Sequence, residues 1–312
     1  MVTMSLEPEI SAFLDSQAQL KLPPIWEIPI SQVRANSQSR FEYIGESTEI
    51  AEIRNTYIPG PTADLHVRIY RPTHESSLPA LVFYHGGGWA LGFIDLYDPC
   101  LSYLAKSSGC VVIAVNYQKA PEHPFPTPLD DCFATLQWVI TNSEKIGVDP
   151  ERIGIGGDSA GANLAAGVAL KARDLKIMNI KFQMLIYPCL ANDFTTQSYI
   201  ENSEGFGLTT KTMEWFWAQY LQKNEDKDNP YACPLRATNH SDLAPAIFVT
   251  AEFDPLTSDS HLYADLLKKA EVEVFAKEFP GMIHGFFTLL GITKRSYDAI
   301  DYCSEQIKTL IR

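Results

Sequence analysis

Short β-forming runs alternate with segments of helical periodicity along most of this chain. The runs fall at residues 53–58, 65–70, 80–84, 110–117, 152–156, 182–187, 246–250 and 272–279. Those at 80–84 (ALVFY) and 110–117 (CVVIAVNY) are almost continuously apolar, as strands buried on both faces are. The first two runs are joined by the turn-like Pro59-Gly60-Pro61, which suits an antiparallel pair at one edge. Helical patterns lie at about 98–107, 130–146, 159–173, 258–270 and 297–311, the first opened by Asp98-Pro99 read as N-cap and N1. Strands alternating with crossover helices predict an α/β fold with a mostly parallel sheet and helices on both faces.

Two stretches break the alternation. Residues 1–45 read as helical at first and then as a loop containing LPPIWEIPI, and residues 190–230 are too long for a simple crossover. Within the second, Met213, Phe216, Trp217 and Tyr220 recur at i, i+3, i+4 and i+7, one face of a helix. The expectation is that this face packs on the domain beneath, with a pocket wall as its second use.

Composition narrows the function. The 312 residues carry 25 Lys+Arg against 38 Asp+Glu, a net charge of −13. A surface so acidic repels phosphate backbones and anionic lipid, which argues against nucleic-acid binding. No apolar run approaches the ~18 residues a bilayer span needs, and MVTMSLEPEI has neither the basic nor the apolar region of a secretory signal. Cys100, Cys110, Cys132, Cys189, Cys233 and Cys303 are scattered without a CxxC pair; they read as free thiols in a reducing compartment, so the expected location is the cytoplasm. No HxxxH or Cys/His cluster suggests a metal.

The chemistry-bearing residues stand at strand ends. Gly157-Asp158-Ser159-Ala160-Gly161 follows the run RIGIG and opens the helix ANLAAGVALKA. A serine on so tight a strand-to-helix turn has its Oγ pushed out of the sheet. The Ala160 N–H then points from a helix N-terminus towards developing negative charge. His85-Gly86-Gly87-Gly88-Trp89 follows ALVFY directly, and its glycines let main-chain N–H groups approach a ligand closely. A serine hydroxyl needs a base, itself oriented by an acid. His284 follows the last predicted strand and Asp254 follows AIFVTA, so both lie where an open α/β sheet gathers its site. The chain order Ser159, Asp254, His284 is that of an α/β-hydrolase triad. His85, His66, His74, His123, His240 and His261 are read as surface or structural histidines, and Asp158, Glu252, Asp130 and Asp131 as caps or supporting hydrogen-bond acceptors.

HGGGW, GDSAG, DPL and HGF in this order, with NYQKAPEHPFPTPLDD, GLTTKTMEWFWAQYL and NPYACPLRAT, make the chain resemble the bacterial hormone-sensitive-lipase-like esterases of the α/β-hydrolase superfamily over about residues 5–310. The resemblance implies an eight-stranded, mostly parallel sheet. It implies a catalytic domain at 46–189 and 231–312 and a helical cap made by 1–45 and the insertion 190–230. The nucleophile, acid and base fall on Ser159, Asp254 and His284, and the oxyanion donors on Gly87, Gly88 and Ala160. The substrate pocket is expected among Trp89, Phe206, Phe216, Trp217, Ile283 and Phe286. No cofactor is implied. The expected partner is a small-molecule ester with a short to medium acyl chain, with no stable membrane insertion and a homodimer as the protein assembly in view.

Three departures stand out. Tyr117-Gln118-Lys119 replaces the family's Tyr-Arg-Leu, Thr257-Ser258-Asp259 replaces Arg-Asp-Glu, and Ala162 replaces a glycine. The expected activity is carboxylic ester hydrolysis through an acyl-enzyme. An amidase or deacetylase with the same triad is the nearest alternative. A lipase acting on long-chain lipid surfaces would need a long exposed apolar lid, and none is evident. A ligand-binding receptor on a hydrolase scaffold is disfavoured because His284 is intact.

Overall fold

The computed structural model describes residues 5–177 and 180–312. Eight strands form one sheet: β1 (Glu52–Pro59), β2 (Asp64–Arg71), β3 (Leu78–Tyr84), β4 (Val111–Asn116), β5 (Val148–Asp158), β6 (Ile180–Ile186), β7 (Ala246–Phe253) and β8 (Val274–Ile283). Their order is β1-β2-β4-β3-β5-β6-β7-β8. The β1–β2 and β2–β4 pairs are antiparallel, and the five pairs from β4–β3 to β7–β8 are parallel. Every strand expected from the sequence is present. Strand β5 starts four residues earlier than its apolar run, at Val148, and β8 runs on through Pro280 to Ile283, directly before His284.

The helices are α1 (Pro8–Gln19), α2 (Ile30–Asn36), α3 (Asp98–Ser108), α4 (Thr127–Thr141), α5 (Ala160–Asp174), α6 (Gln197–Glu201), α7 (Thr210–Tyr220), α8 (Thr257–Lys269) and α9 (Arg295–Leu310). The pleat sends alternate side chains to opposite faces. In β4, Val111, Ile113 and Val115 enter the core shared with α4, α5, α7 and α8, whereas Val112 and Ala114 enter the one shared with α3 and α9. This explains why the central strands read as continuous apolar runs.

Three expectations need correction. Asp98 is not an N-cap. It is the first residue of α3, and its carboxylate takes two bonds from Arg68 Nη1 at 2.6 and 2.8 Å and one from Tyr70 Oη at 2.6 Å. Helix α4 begins three residues before the expected 130, with Pro128 in its first turn, and ends at Thr141 instead of 146. The segment read as a loop after α1 contains α2 and two short 3-10 turns.

Parts of the chain outside the alternation touch the ends of strands: the Glu7 N–H donates to the Gly281 carbonyl near the end of β8 at 3.1 Å, and Phe216 packs on Gly88 after β3. Helix α7 is N-capped by Thr209, whose side chain accepts from the Thr212 N–H at 3.1 Å. Its expected face, Met213, Phe216, Trp217 and Tyr220, is buried against the body of the protein. The N-terminal segment meets it where Lys211 Nζ lies 4.4 Å from the centre of the Trp26 ring. Residues 1–4 of the expected N-terminal cap segment lie outside the described residues.

Candidate active site

Strand β5 delivers Ser159 on a turn with φ 55 and ψ −121. A side-chain-bearing residue at positive φ costs on the order of 1–3 kcal/mol. The Ser159 N–H to Ile186 carbonyl bond at 2.8 Å fastens the turn to β6. Small neighbours are obligatory: a Cβ on Gly161 would lie 1.9 Å from the Tyr84 carbonyl oxygen. The nucleophile's turn and the end of β3 are thus in direct contact.

Ser159, Asp254 and His284 converge from three strand ends. His284 Nε2 lies 2.9 Å from Ser159 Oγ, and His284 Nδ1 lies 2.7 Å from Asp254 Oδ2. Asp254 is fully buried, and the His284 side chain is 12% exposed, which leaves one end of the relay facing the site. The second carboxylate oxygen of Asp254 accepts the Leu256 N–H at 2.9 Å. A hydrogen bond from each side therefore fixes the acid. With Asp254 accepting at Nδ1, that nitrogen carries the proton and Nε2 is free to take one from Ser159.

The end of β8 before His284 is held from two directions. Glu252 Oε2 accepts the Gly281 N–H at 2.7 Å, and the Gly281 carbonyl accepts the Glu7 N–H at 3.1 Å. The ring of Tyr187 lies 4.5 Å from that of His284. The departures in the acid loop are accommodated locally. Thr257 Oγ1 donates to the Ala251 carbonyl at 2.7 Å, and Asn202 Nδ2 donates to the Asp254 carbonyl at 3.2 Å. At the other departure, Asp131 accepts from the Gln118 backbone N–H at 2.9 Å and from its side-chain amide. Uncharged Gln118 donors stand where the family's arginine would place a charge.

The loop after β3 turns through Gly87 at φ 110, Gly88 at φ 60 and Trp89 at φ 58. Among the described residues, nothing accepts a hydrogen bond from the Gly87 or Gly88 N–H. Ala160 is the first residue of α5, so its N–H has no acceptor within the helix. His85 acts structurally. It is stacked on Tyr117 with ring centres 4.4 Å apart, its Nδ1 lies 2.7 Å from the Gly86 carbonyl, and burial pushes its pKa down to about 3. It is therefore uncharged at neutral pH.

The expected pocket residues divide. Trp89, Trp217, Ile283 and Phe286 are each no more than 2% exposed. Trp89 stacks on Tyr220 with ring centres 4.3 Å apart and meets Trp217 at 4.4 Å. Trp217 on α7 and Trp89 in the loop after β3 thus pack against each other in the interior. Phe286 packs on Phe279 and Tyr187 in the same interior way. Phe216 covers Gly88, and half-buried Phe206 stacks on Phe253 at 4.8 Å.

Sequence reasoning missed several supporting residues. Asn163 is buried, accepts from Trp89 Nε1 at 3.3 Å and donates to the Cys189 and Ala232 carbonyls at 2.8 Å each. A lone amide one turn into an otherwise apolar helix was its signal. Tyr97 and Tyr187 have no local signature. Among the described residues, no group of three or more His, Cys, Asp or Glu side chains could hold a metal ion, and no helix is long and apolar enough to cross a membrane.

The chain and its fold are similar to those of known proteins. Residues 81–288 match the family described by the alpha/beta hydrolase fold. Carboxylesterase NlhH of Mycobacterium tuberculosis is 39% identical over 227 residues, 72% of this chain and 71% of the relative. An ethyl acetate hydrolase of Pseudomonas putida is 31% identical over 309 residues, covering 95% and 96% of the two chains. The solved structure of an ester hydrolase from the Lake Arreo metagenome, complexed with a bipyridine phosphonate derivative, superposes with a TM-score of 0.93. It is 35% identical, with 97% of this chain and 98% of that one covered. The chain belongs to the α/β-hydrolase-fold family and, within it, to the hormone-sensitive-lipase-like carboxylic ester hydrolases.

Proposed function

We propose that this ester hydrolase works through an acyl-enzyme on Ser159, with His284 as general base and acid and Asp254 as the group that orients it. The supporting observation is the continuous chain from Ser159 Oγ to His284 Nε2 at 2.9 Å and from His284 Nδ1 to Asp254 Oδ2 at 2.7 Å. Ser159 Oγ attacks the ester carbonyl carbon while its proton passes to His284 Nε2. The carbonyl oxygen becomes negative opposite the Gly87, Gly88 and Ala160 N–H groups. Each such donor is typically worth ~3–4 kcal/mol. Collapse expels the alcohol, which takes the proton from His284. Water, deprotonated by His284, then attacks the acyl carbon and regenerates the serine.

The substrate class we propose is a soluble ester with a short to medium acyl chain, bound under a cap formed by residues 5–45 and 190–230. Phe216 over Gly88 supports a short acyl space, because its ring stands against the loop that would receive the carbonyl oxygen. The six free cysteines, all buried, support a reducing compartment, the cytoplasm. Hydrolysis of p-nitrophenyl esters from acetyl to dodecanoyl, by wild type and Ser159→Ala, tests the assignment. Activity should peak at short chains and vanish in the variant while the fold persists. Near-wild-type hydrolysis by Ser159→Ala would overturn it.

A further inference from the structure

Asp158, next to the nucleophile, has no part in the mechanism above, yet it is an ionisable group only 4% exposed. A buried carboxylate is costly unless hydrogen bonds compensate it. The bonds it makes are specific. Its Oδ1 accepts the Gly86 N–H at 2.7 Å, and its Oδ2 accepts Tyr97 Oη–H at 3.1 Å. The Gly86 N–H is shared with Tyr97 Oη at 2.9 Å. The three groups close a buried triangle.

The triangle lies between two loops carried by different strands. Asp158 ends β5 and immediately precedes Ser159; Gly86 follows β3 and immediately precedes Gly87. The approach is tight: a Cβ on Gly86 would lie 2.6 Å from Asp158 Oδ2. The other hydrogen bonds holding the loop after β3 come largely from elsewhere. Tyr117 Oη donates to the His85 carbonyl at 2.8 Å, and the Ala120 N–H to the Trp89 carbonyl at 2.9 Å. A second tie to the nucleophile's side, Trp89 Nε1 to Asn163 Oδ1, is longer at 3.3 Å and lies one helical turn further on.

We propose that Asp158 is a positioning residue for catalysis, its carboxylate fixing the oxyanion-donor loop in register with Ser159 through the Gly86 N–H, with Tyr97 as the strut that holds the carboxylate. The inference rests on the proposed acyl-enzyme reading and deepens it. Stabilising an oxyanion requires donors placed for the transition state and not merely present. A shift of a few tenths of an ångström between the two loops therefore weakens turnover more than it weakens substrate binding. Burial pushes the Asp158 carboxyl up to about 6, opposed by the Gly86 and Tyr97 bonds and by the Arg40 charge. The same buried neighbourhood contains Cys100, Tyr117 and Tyr187. At neutral pH the group is thus mainly the two-acceptor carboxylate the triangle needs.

The test is steady-state kinetics of wild type, Asp158→Asn, Asp158→Leu and Tyr97→Phe on p-nitrophenyl acetate, with melting temperature measured in parallel and Ser159→Ala as the reference. Asp158→Leu removes both acceptors, and its kcat should fall ~100-fold or more, the scale of losing one oxyanion donor, with KM within about three-fold. Asp158→Asn keeps a carbonyl oxygen opposite Gly86 and should recover most of that loss, with Tyr97→Phe intermediate. Should Asp158→Leu fail to fold, the order wild type, Asp158→Asn, Tyr97→Phe still decides. Tyr97→Phe with wild-type kcat, or losses confined to melting temperature or KM, would overturn the proposal. Those results with Ser159→Ala inactive reject the positioning role alone, whereas an active Ser159→Ala rejects the underlying mechanism.

Discussion

Gly88 and Phe216 are packed so closely that a Cβ on the glycine would lie 2.1 Å from Phe216 Cδ1. Because Gly88 also sits at φ 60, an alanine there meets both backbone strain and a ring that has little room to retreat. Gly88→Ala should lower kcat at least ten-fold on p-nitrophenyl acetate. Adding Phe216→Ala relieves the clash but not the strain, so the double variant should recover part of the loss. Strict additivity of the two changes in a double-mutant cycle would show that the contact has no energetic consequence.

Phe216 alone makes a different prediction. It is 7% exposed and stands against the loop that would receive the carbonyl oxygen. Phe216→Ala should move the acyl-chain optimum of the p-nitrophenyl series to longer chains, with kcat/KM for acetyl falling relative to hexanoyl. An unchanged chain-length profile would place the acyl group elsewhere.

Asp259 supplies a pH dependence of stability. It is fully buried, its Oδ2 accepts the Leu190 and Ala191 N–H groups at 2.8 and 3.3 Å, and its Oδ1 has no partner among the described residues. Burial, with Asp254 and Asp193 nearby, pushes its carboxyl up to about 7 despite those bonds. The folded state therefore holds this proton more tightly than the unfolded chain. The associated stability is full below the ordinary carboxylate range and is lost as pH rises through about 7. Asp259→Asn cannot titrate, so its melting temperature should gain on wild type between pH 5 and pH 8. A difference that stays flat across that window would show that Asp259 does not titrate there.

These relationships differ in how far the sequence displays them. Ser159, Asp254 and His284 are legible because each lies in a short local motif at the end of an apolar run, and chain order links the three. The strands are legible because burial on both faces leaves an unbroken apolar run, as in β4. Asp98 misled because its partners, Arg68 and Tyr70, are about 30 residues upstream, and a local capping rule is blind to them. The spacing of Phe216, Trp217 and Tyr220 predicts a shared helical face but not what that face meets, so the contact of Trp217 with Trp89 is not legible in it. Helix α2 has seven residues after Pro29, too short for its period to stand out.

Arg34 on α2 is the least legible of the site's supports, and it sets the last prediction. Its Nε donates to the Ala90 carbonyl at 2.9 Å and its Nη2 to the Ala120 carbonyl at 3.0 Å, while Nη1 and Nη2 grip Glu122 at 2.8 and 2.7 Å. The Glu122 side chain is 49% exposed, and an ion pair so open to solvent contributes little. The two carbonyls belong to Ala90 and Ala120, both buried, and an unpaired buried carbonyl costs ~1–3 kcal/mol. Removing the arginine should therefore matter far more than removing its carboxylate. Arg34→Ala should lower the melting temperature by several degrees and cut kcat several-fold, because the loop after Trp89 loses its anchor. Glu122→Gln should leave both near wild type, and Arg34→Lys should fall between, since an ammonium cannot reproduce the planar fork. Equal losses in Arg34→Ala and Glu122→Gln would show instead that the ion pair, not the carbonyl bonds, is what fixes α2 to the oxyanion loop.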